Sequence, residues 1–212
     1  FSGANSIVEN ELAVRGMLVL DEDTSGDALF RVPPGVLEIH NLFANTERLR
    51  KLAVKGKVKA PKDDLFEFGD IPDGAKKARR ITINFTASNT IEYRWKGGSW
   101  KRSEAGLPFM TNDGEQIAVP NVLIQEVQVN NSTRIFDVAG NPSPDISLTG
   151  KGRALLFRDG KVVKGTWSSK TEGAMPKLRT KAGDRFTFAE GPIWIELVPA
   201  PTGTVKGTLS FR

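Results

Sequence analysis

The sequence predicts a mainly β, α+β protein: an antiparallel β-barrel or β-sandwich over residues 81–212, preceded by a partial α/β segment over residues 1–80. Three observations predict it. From Ile81 onward apolar residues recur at every second position, the period of a strand buried on one face. Gly-Gly and Asp-Gly pairs separate those runs, where hairpin turns need positive φ. Upstream of residue 81 the apolar spacing is that of short helices, and Pro, Gly and charged residues interrupt it.

Residues Ser6 to Val14 read as a helix, with Ile7, Glu11, Leu12 and Arg15 at helical spacing and Gly16 as its stop. Met17 to Leu20 is a short apolar run expected to be a buried strand. Asp21 to Asp27 is an acidic turn. Phe30-Arg31-Val32 reads as a strand ended by Pro33-Pro34-Gly35. A second helix is expected from Thr46, whose hydroxyl can cap the first turn, through Leu49 and Leu52 to about Lys55, with Gly56 after it. Residues 57–80 read as a long connection rich in Lys, Asp, Pro and Gly, with Phe66 and Phe68 as anchors. Two short helices and two short strands cannot cover their own apolar edges. Residues 1–80 are therefore expected to be the C-terminal portion of a larger α/β domain, whose upstream part would be a partner of this chain.

The β-region follows in order. Ile81, Ile83 and Phe85 share one face, and Ile91, Tyr93 and Trp95 repeat the pattern before Gly97-Gly98 turns the chain into Trp100. Val122 to Val129 is a longer strand. Arg153–Phe157 and Val162–Trp167 flank Asp159-Gly160, a pair suited to a type I′ turn. Phe186–Phe188, Ile193–Val198 and Thr204–Phe211 complete a set of seven to nine short strands.

Composition narrows the chemistry. The 212 residues suffice for one or two domains, and no apolar run approaches the roughly 18 residues of a membrane span. Cysteine is absent, which excludes disulfides, zinc-thiolate sites and cysteine nucleophiles within the chain. One histidine, His40, excludes a multi-histidine metal site here, so no metal and no cofactor is expected. There is no Walker loop, dinucleotide fingerprint or Gly-x-Ser-x-Gly elbow. Charge is uneven: residues 1–80 hold 13 basic and 13 acidic side chains, so the whole net +5 lies beyond them. Residues 151–185 alone carry ten basic and three acidic side chains, a balance that attracts polyanions.

Five segments carry a resemblance. Asn121-Val122-Leu123-Ile124-Gln125, Gly150-Lys151-Gly152-Arg153-Ala154, Phe157-Arg158-Asp159-Gly160-Lys161, Gly165-Thr166-Trp167 and Gly191-Pro192-Ile193-Trp194-Ile195-Glu196-Leu197-Val198-Pro199 follow one another as in the C-terminal domain of YerB-like lipoproteins. Asn112-Asp113-Gly114 with Ile117 fits the loop before the long strand. Upstream, Ser2-Gly3-Ala4-Asn5 resembles that family's small-residue loop, and Ile39-His40-Asn41-Leu42 resembles its Pro-His-Asn-Leu motif, with Ile39 in place of proline. The resemblance implies a bacterial envelope or secreted protein, exported with a lipoprotein-type signal and held to the membrane only by a lipid anchor outside this chain. The family is described as of unknown function, so the resemblance implies no reaction.

Several residues are candidates for function. The resemblance makes His40 and Asn41, beside the loop that holds Ser2 and Asn5, elements of a ligand pocket. Imidazole can act as acid or base near neutral pH; the structural reading is that His40 and Asn41 bond to backbone and fix the entry to the second helix. Glu92, Glu126 and Glu196 stand on strands and could meet as a carboxylate pair, or be solvated or paired with cations. The acidic turn does not have the calcium-loop spacing. Lys76-Lys77-Ala78-Arg79-Arg80 is a basic run, and Trp95, Trp100, Trp167 and Trp194 are read as core before stacking platforms.

Three functions compete. The first is a non-enzymatic envelope module that binds an anionic wall polymer, or a partner protein of cell-wall assembly, through Lys151, Arg153, Arg158, Lys161, Lys164, Arg179 and Arg185. The second is a hydrolase or transferase of envelope glycans or phosphodiesters with its site near His40. The third, nucleic-acid binding, is disfavoured by the balanced charge of residues 1–80 and by the exported character that the resemblance implies.

Overall fold

The computed structural model describes residues 6–32, 41–58, 65–86, 88–137 and 139–212. The chain forms two compact units, Phe1–Asp63 and Asp64–Arg212.

In the first unit, α1 (Ser6–Val14) ends as expected at Gly16, whose φ of 73° lies in the left-handed region. Met17–Leu20 is not a strand. The Met17 amide bonds back to the Leu12 carbonyl and closes the helix end instead (3.1 Å). A 3₁₀ turn, Gly26–Ala28, leads into β1 (Leu29–Arg31), which pairs antiparallel with β2 (Leu42–Ala44), and Phe30 stacks on Phe43. Helix α2 (Thr46–Lys55) occupies the expected span, but its cap is Asn45. The Asn45 side chain accepts from the Arg48 amide at 3.0 Å, which places Thr46 inside the helix.

The second unit holds fifteen strands among its described residues, arranged mainly as two stacked sheets. They are β3 (Glu67–Phe68), β4 (Lys76–Lys77), β5 (Arg80–Asn84), β6 (Thr90–Lys96), β7 (Ser99–Glu104), β8 (Leu107–Pro108), β9 (Ala118–Val119), β10 (Asn121–Phe136), β11 (Pro142–Ser147), β12 (Gly150–Arg158), β13 (Lys161–Ser169), β14 (Lys177–Thr180), β15 (Thr187–Phe188), β16 (Ile193–Pro199) and β17 (Thr208–Phe211). The larger sheet follows the order β11-β10-β12-β13-β14, with β16 beside β10 and β4 beside β13. The smaller follows β17-β5-β6-β7-β8, with β9 beside β7. Both sheets are open paths, so of the two expected architectures the sandwich is the one formed.

Three details differ from the sequence reading. The sheets are not wholly antiparallel: β16 lies parallel to β10, as β15 does to β3, because the chain crosses over between them. The connection read through residue 80 is largely part of the β-unit. Its Phe66 packs edge-on to Phe188 at 5.0 Å, β3 pairs with β15, and β4 pairs with β13. The run from Thr204 is also shorter as a strand than its alternation suggests. The loop before β17 is tied to β10 instead, through the Val205 amide on the Val129 carbonyl (3.0 Å).

Burial explains the mixed patterning. The smaller sheet sends Ile81, Ile83, Ile91, Tyr93 and Trp100 onto Val122, Ile124, Leu155 and Phe157 of the larger one. The opposite face of the larger sheet buries Leu123, Val127, Ala154, Leu156, Val163 and Trp167 under Phe186 and Phe188. Strands β10 and β12 are thus apolar on both faces and read as continuous runs, whereas β5 to β7 alternate. Each of these large side chains contributes about 1.5–3 kcal/mol on burial.

Asp159 and Gly160 have φ of 53° and 64°, the two positive values a type I′ turn requires. Gly160 has a second reason to lack a side chain. A Cβ there would lie 2.6 Å from an Arg79 guanidinium nitrogen and 2.8 Å from the Trp95 indole nitrogen.

Candidate functional site

Ser2, Asn5 and His40 lie outside the described residues. Asn41 is buried, and its side chain is fully engaged. Its Oδ1 accepts from Arg31 (2.8 Å) and its Nδ2 donates to the Val32 carbonyl (3.2 Å). Arg31 also grips Glu22 through two bonds of 2.8 and 2.7 Å. The acidic turn is held similarly: Asp27 pairs with Arg48 at 2.6 Å, and Asp21 accepts from the amide and hydroxyl of Thr24. Those bonds from Thr24 hold the Asp21 carboxyl below its usual range.

Most of the basic residues named from the sequence for the β-unit fall into three settings, and Arg179 borders two of them. Arg158 is buried. One guanidinium nitrogen donates to the carbonyls of Gly69 (2.7 Å) and Thr187 (3.0 Å), and its Nε meets Asp159 at 2.8 Å. Arg179 and Arg185 border a cleft of about 690 Å³ that also presents Glu67, Asp70, Asp73 and Asp184, and Arg185 stands 3.5 Å from Glu67. Lys161 faces Lys77 at the β13–β4 pairing.

The third setting is one face of the larger sheet. Lys151 pairs with Ser168, and Ser168 with Lys177; Arg153 pairs with Thr166, and Thr166 with Arg179. Pairing partners point the same way, and alternation places all six on the Leu155/Phe157 face. Lys164, on the same phase, lies 5.2 Å from the centre of the Phe211 ring. The result is a solvent-exposed field of cations interleaved with hydroxyls. Within it Glu126 takes two hydrogen bonds from Arg153; these bonds strengthen the guanidinium's hold on its proton, and partial burial opposes them. Lys177 lies within the basic stretch but only the strand register brings it into one row with Lys151, across Ser168.

The three strand glutamates do not meet as a catalytic pair. Glu126 is held by Arg153, and Glu92 by Arg80 with Arg94 at 3.5 Å. The hydrogen bond from Arg80 keeps the Glu92 carboxyl below its ordinary value, against the effect of burial. Glu196 is buried and accepts from the Tyr93 hydroxyl at 2.5 Å, with Arg102 Nε 3.9 Å away. Arg102 lies over the Phe109 ring (4.2 Å) and the Trp194 ring (4.9 Å), and a guanidinium nitrogen reaches Glu104 at 2.9 Å. Burial pushes the Glu196 carboxyl up, while Tyr93 and Arg102 pull it down by less. Burial and the Glu196 charge likewise push the Tyr93 hydroxyl up, far beyond physiological pH. This cluster joins β6 and β7 of one sheet to β16 of the other. Its sequence signal was Arg102 on the inward phase of β7, between Trp100 and Glu104. Trp100 and Trp167 are buried and Trp95 packs against the core, so none of the three offers an exposed stacking platform.

No described helix is long and apolar enough to cross a membrane. Comparison with known proteins agrees with the resemblance. The protein named "Putative lipoprotein YerB" of Bacillus subtilis strain 168 is 27% identical over 181 residues, covering 80% of this chain. The chain spans about half (50%) of that relative's length. The crystal structure of YerB from Bacillus subtilis superposes with a TM-score of 0.69 at 21% identity, over 97% of this chain and 68% of that one, and shows the same fold. The profile described as "Protein of unknown function (DUF3048) C-terminal domain" matches residues 81–195, and the chain belongs to that family.

Proposed function

We propose that this chain is part of an extracytoplasmic envelope protein that holds an anionic wall polymer on the exposed face of β12–β14. The observation that carries the reading is the pair of rows Lys151–Ser168–Lys177 and Arg153–Thr166–Arg179, with Lys164 beside them. Flexible ammonium groups and hydroxyls at the interstrand spacing of roughly 4.8 Å suit repeated anionic groups on a chain better than one shaped ligand. The name of the YerB relative, a putative lipoprotein, supports the location, because a lipoprotein is held at a membrane surface by its lipid. Nothing among the described side chains favours the hydrolase reading. Asn41 acts as a structural amide, and the glutamates are separately engaged.

The test is binding of poly(glycerol phosphate) to wild type and to the double variant Lys151→Glu, Lys177→Glu. Both residues are exposed, so folding is expected to survive. Loss of at least tenfold in affinity supports the reading; unchanged affinity in a folded variant removes it.

A second reading, a protein partner in cell-wall assembly, is favoured by one feature. The long β10–β11 hairpin is solvent-exposed toward its tip and leaves Phe136, Ile146 and Leu148 exposed. Deleting residues 132–146 would abolish capture of such a partner without affecting polymer binding.

A further inference from the structure

The solvent face of the smaller sheet carries a separate charge pattern. Ile81, Ile83, Ile91, Tyr93 and Trp100 point into the sandwich, so alternation turns Arg80, Thr82, Glu92, Arg94, Lys101 and Ser103 outward. Arg80 pairs with Arg94, and Arg94 with Lys101. Beyond β17 the Arg212 amide donates to the Arg80 carbonyl (3.1 Å) and the Arg80 amide to the Arg212 carbonyl (3.0 Å). Arg212, Arg80, Arg94 and Lys101 therefore stand in one row across four strands, about 4.8 Å apart. The next row is Ser210, Thr82, Glu92 and Ser103.

Like charges directly opposite one another on a sheet are destabilising. Glu92 is the one carboxylate side chain in these two rows, and it already serves Arg80 and Arg94. It cannot balance four cations. The Nε of Arg80 is buried and has no hydrogen-bond partner. A cleft of about 280 Å³ borders Arg80 and is also lined by Thr82, Ser210, Phe211 and Arg212. The two rows contain no aromatic side chain, and Phe211 of the cleft packs against the core rather than standing free as a platform for bases or sugar rings. Planar guanidinium forks with nearby hydroxyls match the tetrahedral oxygens of phosphate.

We propose that this face is a phosphate-binding surface. One phosphate group would sit between Arg80, Arg212, Thr82 and Ser210, and a phosphodiester chain would continue along the row to Arg94 and Lys101. The geometry is independent of the β12–β14 face, so either surface can fail without the other.

The experiment measures binding of poly(glycerol phosphate), inorganic phosphate and poly-glutamate by calorimetry. The variants are Arg94→Glu with Lys101→Glu, the control Arg94→Lys with Lys101→Arg, and Lys151→Glu with Lys177→Glu on the other face. The proposal expects the first pair to lose at least tenfold in affinity for poly(glycerol phosphate), with an unchanged melting temperature, and the control to stay within threefold of wild type. It expects the same loss when the first pair is made in the background altered on the other face. Competition by millimolar inorganic phosphate would support phosphate recognition from either source, and the polymer's tighter binding would identify the chain as the ligand. Unchanged polymer affinity in the folded first variant would overturn the proposal. So would poly-glutamate binding as tightly as the phosphate polymer, which would reduce the surface to unspecific charge.

Discussion

Glu92 and Glu196 are glutamates on neighbouring layers with opposite titration behaviour. The folded-state value of Glu92 is depressed, chiefly by the hydrogen bond from Arg80. Its contribution to stability is present above the unfolded value of about 4.3 and lost as pH falls through the folded value. Glu196 is raised by burial. Its contribution is fully present below about pH 4.3 and lost as pH rises through the folded value. Urea midpoints at pH 3 and pH 8 test both. Glu92→Gln should lose more stability at pH 8 than at pH 3. Glu196→Gln should gain on wild type between those pH values. A pH-independent gap for either variant would contradict the assigned cause. Tyr93→Phe removes the hydroxyl that serves the Glu196 carboxyl and is expected to cost about 1–3 kcal/mol. At this scale the sequence was partly legible. Arg102 stands on an apolar phase, a signal that the sequence reading passed over, whereas Tyr93 looked like ordinary core. The role of Asn41 was open between ligand and structure, because an amide's partners depend on β1–β2 pairing that no local pattern encodes.

Among the elements, strand identity was legible and strand partnership was not. Alternation located β5, β6 and β7, and the Asp159-Gly160 pair located the β12–β13 hairpin. The parallel β10–β16 pairing joins residues some seventy positions apart, and the continuous apolar runs of β10 and β12 record burial on both faces without naming a neighbour. Short strands such as β3 and β4 have no period to detect. Their place follows from Phe66 under Phe188 and from the carbonyl of Gly69 bonded to Arg158. Arg158→Ala would leave the Gly69 and Thr187 carbonyls without that donor. Amide exchange at Gly69, whose N–H bonds to the Phe188 carbonyl, should then rise at least tenfold while amides of β6 are unaffected. β13 and β14 make another test. A Cβ at Gly165 would overlap the Arg179 carbonyl, so Gly165→Ala should destabilise by about 1–3 kcal/mol and weaken the register that aligns Arg179 with Arg153.

For the molecule as a whole, the excess of positive charge was legible by counting, but its distribution was not. The basic stretch of residues 151–185 divides among a buried Arg158, a mixed-charge cleft and one exposed face, because alternation and turns send neighbours in sequence to different sides. Conversely, Arg80, Arg94, Lys101 and Arg212 are scattered in sequence and become a row only through pairing. Both surfaces present rows of exposed or half-buried cations and hydroxyls, which makes a salt-sensitive grip on a polyanion the central claim. The most direct measurement is a calorimetric titration of this chain with poly(glycerol phosphate) across added salt. If several cations release counterions on binding, affinity should fall by at least about tenfold between 50 and 300 mM sodium chloride, linearly in logarithmic form. Absence of binding at 50 mM, or an affinity unchanged across that range, would contradict it.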